Sequence, residues 1–154
     1  MSDLDNVTSL VATLQEDIAV LTYAQNIATA IVNGPANHCA ATLSALLVFG
    51  GIYPYGAFNG SGDLQPWVPT LAYDLENRRG WTRYAVGSLI APGDVGVVIL
   101  SSGVHHIYLV TDPSDQAEPL IADNQDAGLH PRVVAGAPAH SQSPTSYFLR
   151  APSS

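Results

Sequence analysis

Apolar residues recur at three- and four-residue steps from Val7 through Leu10, Val11, Leu14, Ile18, Leu21, Ala24, Ile27 and Ala28 to Ile31. That spacing predicts one long amphipathic helix filling the segment 1–33, capped by Asp5 or Asn6 and stopped by Asn33-Gly34-Pro35. A second helix is expected from Asn37, a good N-cap, to Phe49, ending at Gly50-Gly51. The stretch from Tyr53 to Pro69 mixes glycine, proline and aromatic rings and reads as an ordered loop. Thr70 to Arg79 then reads as a short helix with arginines at its end and Gly80 behind it.

Beyond Gly80 the pattern changes period. Trp81 to Tyr84, Val95 to Leu100, Val104 to Thr111, Glu118 to Asp123, Arg132 to Val134 and Ser146 to Arg150 are short strand-like runs separated by Gly, Pro, Ser and Asp. Helices first and an antiparallel sheet afterwards is an α+β arrangement, and no repeat or linker divides residues 1–154, so one domain is expected. Ala91-Pro92-Gly93-Asp94 is a turn whose aspartate is expected to bond its own backbone.

Charge and composition narrow the function classes. Thirteen acidic residues against five arginines and no lysine give a net charge of −8, which argues against a nucleic-acid partner or a grip on anionic lipid. The longest apolar-rich run, Cys39 to Ile52, is too short to cross a bilayer, so no membrane span is expected. Met1 to Asn6 lacks the features of a signal peptide; the localisation stays open between cytoplasmic synthesis alone and export or delivery by a non-classical route. A lone cysteine forms no internal disulfide, and without a second cysteine or a His-x-x-His pattern neither a metal nor a cofactor is expected. His130 and His140, in Pro/Gly/Ala-rich surroundings, read as exposed loop residues.

The candidate chemistry starts at that cysteine. Cys39 falls in the first turn of the second helix, where unpaired N–H groups and the positive end of the dipole favour thiolate over thiol. A base is available in His105-His106, at the head of an apolar strand. Alternation puts Val104, His106, Tyr108 and Val110 on one face and His105, Ile107 and Leu109 on the other, so one histidine at most faces Cys39, and parity does not choose between them. Asp123 and Asn124, at the end of the next strand, are the candidate orienting groups.

Taken together, Asn37-His38-Cys39-Ala40-Ala41-Thr42-Leu43-Ser44, Gly50-Gly51-Ile52, Pro92-Gly93-Asp94-Val95-Gly96-Val97-Val98 and His106-Ile107-Tyr108-Leu109-Val110 form an ordered set. In order and spacing this set resembles the papain-like cell-wall hydrolases, the NlpC/P60 and CHAP amidase and endopeptidase group, over residues 37–125. The resemblance implies a papain-like fold, Cys39 as nucleophile, His106 as general base with His105 beside it, and Asp123 or Asn124 as third member, Asp123 being favoured because a carboxylate also stabilises imidazolium. It implies a peptidoglycan or other peptide substrate, cut without a cofactor, and leaves any inhibitor or immunity protein unidentified. His38, Tyr55, Trp67 and His105 are the candidate substrate contacts. The chain departs from the family in having His38 before the cysteine and Ala40-Ala41 after it. Two other readings stand beside this one: the same machinery acting on protein substrates as hydrolase or acyltransferase, and a non-catalytic α+β binding module in which Cys39 is core.

Overall fold

A computed structural model describes residues 1–32, 38–54 and 67–154. Among these, four α-helices come first and six strands follow: α1 (Asp3–Glu16), α2 (Ala19–Ile31), α3 (His38–Phe49), α4 (Val68–Tyr73), β1 (Thr82–Ala85), β2 (Val95–Ile99), β3 (His105–Asp112), β4 (Leu120–Ala122), β5 (His130–Pro131) and β6 (Tyr147–Arg150). All pairings are antiparallel, in the order β1-β6-β2-β3-β4-β5. The protein is an α+β structure with helices packed on a six-stranded sheet.

The single long helix expected at the N-terminus is two. Asp17 turns extended (φ −141°, ψ 98°), and its carboxylate accepts the backbone N–H of Ala19 at 3.0 Å, ending α1 and opening α2. Leu14 and Leu21 are both buried across the break while Ile18 is not, so the apolar period runs on although the helix does not. The cap of α1 is Ser2, with Asp5 reaching back to complete a capping box, rather than Asp5 or Asn6. Asp3 takes two bonds from Arg79 (2.8 and 2.7 Å) and one from the Trp81 indole (2.9 Å), tying α1 to the entrance of β1.

Helix α3 lies between α2 and the sheet, and its residues from Cys39 to Leu47 are all buried. It therefore has no polar stripe, the expected pattern for a helix covered on every side. Gly51, at φ +90°, turns the chain out of this helix. The proposed Asn37 cap and the Asn33-Gly34-Pro35 stop lie outside the described residues. The helix expected over 70–79 begins earlier, with Pro69 in its first turn, and changes to π-helical winding at Asp74–Arg78 before Gly80.

The sheet has two unlike faces. Val95, Val97, Ile107, Leu109, Ala122 and Leu149 face the helices, while Tyr108, Val110, Ile121 and Phe148 face away, against Ile90 and Val134. Tyr108 explains Gly96, its register partner: a Cβ there would stand 2.1 Å from the tyrosine ring. The fifth strand is assigned to His130–Pro131, and the segment expected as a strand, Arg132 to Val134, runs on from it in the same register, its Arg132 and Val134 N–H groups donating to the carbonyls of Pro119 and Ala117. The turn before β2 forms as expected, with Asp94 accepting the N–H of Ala91 and, beyond expectation, a two-pronged guanidinium from Arg150.

Candidate functional site

Three residues far apart in sequence meet at the thiol. Cys39, in the first turn of α3, is 8% exposed, and its thiol lies close enough to His106, near the start of β3, to act on that imidazole. The Nε2 of His106 lies 2.8 Å from Asp123 Oδ2, just past the end of β4, which leaves the other ring nitrogen to the thiol. Alternation along β3 and β4 puts His106, Tyr108, Ile121 and Asp123 on a common side of the two strands, and the His106 and Tyr108 rings are 6.2 Å apart.

Asp123 is held from four directions. Its side chain is fully buried; Oδ1 accepts the backbone N–H of Gln125 at 2.9 Å and meets Nε2 of His130 at 2.8 Å, while Oδ2 meets His106. From α2, Gln25 Nε2 donates to the carbonyl oxygens of Asp123 (2.8 Å) and Asp126 (2.7 Å), fixing the turn that carries the carboxylate. His130 is thus not the exposed loop residue expected. β5 brings it opposite Ile121, and its imidazole is largely covered. Gln25 also carried no local signal, since its role arises only when α2 packs beside the turn.

The electrostatics follow from these contacts. Burial would drive the Asp123 carboxyl upward, but the bonds from His106 and then His130 outweigh it and hold the group well below the usual carboxylate range. Burial likewise pulls His106 down, and the bond to Asp123 and the neighbouring Cys39 more than reverse that, so its imidazolium is favoured. His130 is raised chiefly by its bond to Asp123. Behind them, Tyr108 donates to or accepts from Thr145 Oγ1 at 2.7 Å, and burial pushes its phenol up to about 12. Arg132 is buried with its guanidinium 5.3 Å from the Tyr108 ring and bonded to the Ser143 carbonyl; burial lowers its proton affinity.

Of the other candidates, Asn124 is exposed while Asp123 is the residue bonded to His106. His105 is half-buried and meets Trp67 edge to face, ring centres 6.1 Å apart; half of the Trp67 surface is open. His38, half-buried, opens α3 directly before the cysteine. Tyr55 lies outside the described residues. A surface cleft of about 560 Å³ opens on the His130 side, with Glu118, Asp126, His140 and Gln142 also on its walls. Among the described residues no group of three or more His, Cys, Asp or Glu side chains is placed to hold a metal ion, and no helix is long and apolar enough to cross a membrane.

Compared with protein-family models, curated proteins and solved structures, the chain matches none of them.

Proposed function

We propose that the protein is a papain-like cysteine hydrolase that cleaves amide bonds, with the peptide stems of peptidoglycan as substrate. The observation that carries this reading is His106, placed beside Cys39 and bonded to the buried carboxylate of Asp123. A nucleophile, a base and an orienter joined in that order are what amide cleavage by a thiol requires.

Cys39 gives its proton to His106 for the attack, and Asp123 stabilises the resulting imidazolium. The thiolate attacks the carbonyl carbon, and the oxyanion that forms accepts the backbone N–H of Cys39, one of the donors a helix start leaves unpaired. His106 gives its proton to the nitrogen of the scissile amide, the C–N bond breaks, and the amine leaves. Water then gives a proton to the neutral His106 and adds to the thioester carbonyl; the C–S bond breaks, releasing the carboxylic acid, and the thiolate–imidazolium pair is restored. The Trp67–His105 ring pair, whose histidine immediately precedes the base, offers an aromatic wall for a stem peptide or sugar.

The test is mass spectrometry of purified peptidoglycan fragments incubated with the wild type and with Cys39→Ala. Cleavage by the wild type alone is expected and names the bond. Cleavage by both contradicts the assignment of Cys39, and cleavage of protein amides but not wall fragments would keep the chemistry and replace the substrate.

A further inference from the structure

The His130 imidazole is surrounded by acceptors. Its Nε2 is 2.8 Å from Asp123 Oδ1, and the Pro131 backbone and the Asp126 carboxylate are near enough to act on it. A neutral imidazole sets no charge beside these two carboxylates, whereas the doubly protonated ring sets a positive one there and still donates to Asp123. Asp123, for its part, gives one oxygen to each histidine, so a single buried negative charge serves two rings.

We propose that His130 is a positioning residue of the thiol site, a cation that fixes Asp123 from behind and shares its charge with His106. The inference rests on the cysteine-hydrolase reading and deepens it, extending the chain of contacts to Cys39, His106, Asp123 and His130. Its consequence is a weaker base and a stronger acid at His106. With His130 charged, part of the Asp123 field is already neutralised, so His106 holds its proton less firmly and gives it up more readily to a leaving amine.

The other groups on this cluster are Tyr108 from β3, Arg132 after β5 and Asp126 beyond β4, while Glu118 and His140 share the cleft into which His130 opens. Tyr108 stays neutral and Arg132 stays charged across the working range, which leaves His130, beside His106 itself, as a cation on Asp123 that pH can remove.

Nitrogen-15 NMR of the histidine rings tests this without any substrate. In the wild type at about pH 6.5, both His130 ring nitrogens are expected to carry protons, whereas an unperturbed histidine is half neutral there. A singly protonated ring overturns the proposal. In His130→Gln, which keeps a neutral N–H for Asp123, the titration midpoint of His106 is expected to move up by about one pH unit, and with it the alkaline limb of kcat/KM. An unmoved or lowered His106 midpoint means that His130 only fills space, and sinks the idea. Should the variant fail to fold, the wild-type spectrum decides alone. If both NMR results hold while no amide is cleaved, the hydrolase reading fails and the shared carboxylate stands.

Discussion

Two aspartates in this protein are equally deep and do opposite things. Asp94 and Asp123 are 1% and 2% exposed, and each accepts a backbone N–H within its own turn. Asp94 then takes a two-pronged guanidinium from Arg150, whereas Asp123 takes two imidazoles. An arginine is charged at every pH the protein meets, so the first pair is a fastener between the β2 turn and β6. A histidine gains and loses its proton near neutrality, so the second is a place where protons can be held and moved. Depth and local turn chemistry are shared; the partner decides whether a buried carboxylate locks or works.

Exchanging charge at each aspartate separates the two roles. Asp123→Asn keeps the shape of the side chain but not the charge that favours the His106 imidazolium, and kcat on wall fragments is expected to fall by about 10²- to 10⁴-fold. A loss below threefold would mean that Asp123 is only packing. Asp94→Asn is expected to cost about 2 kcal/mol in urea unfolding through the weakened Arg150 bonds, while the rate of Cys39 alkylation stays as in the wild type. If alkylation slows instead, the two carboxylates are coupled and the contrast drawn above is wrong.

Gly96→Ala probes the scaffold beside His106. The added methyl would meet the Tyr108 ring, forcing it from its place beside His106, at an expected cost of about 1–3 kcal/mol in the same unfolding measurement. Unchanged stability would show that the ring is free to move. The smallest effect is on stability against pH. The lowered Asp123 carboxyl contributes stability that is present above the ordinary carboxylate range and is lost as pH falls through its depressed value. The raised His106 and His130 contribute stability that is complete in mild acid, below the ordinary histidine value, and is lost as pH rises through theirs. Denaturation across pH should therefore give a maximum between these limits in the wild type and a flatter curve in Asp123→Asn.

Much of this contrast was legible before any coordinates. Pro-Gly-Asp before a strand announces the Asp94 turn, and a cysteine at a helix start, two histidines heading a strand and an acid-amide pair ending the next put Cys39, His105-His106 and Asp123-Asn124 in order along the chain, while the choice of His106 and Asp123 within those pairs came from the family resemblance and not from the pattern. What stayed hidden was whatever depends on elements meeting. Arg150 reaches Asp94 from 56 positions away and Gln25 reaches the Asp123 turn from 98, and neither sits in a pattern that marks it. His130 follows a glycine-containing loop and precedes a proline, so its two-residue strand leaves no alternation to read. The break at Asp17 was concealed for the opposite reason: the apolar period continues through it, because both helices face one core.

The most direct test of the thiol pair is the pH dependence of Cys39 alkylation by iodoacetamide, in the wild type and in His106→Gln. A thiolate held by a neighbouring imidazolium predicts brisk alkylation of the wild type at about pH 6, falling at least tenfold in the variant. Equal rates in both proteins, climbing only in alkaline solution as for an ordinary thiol, would contradict it.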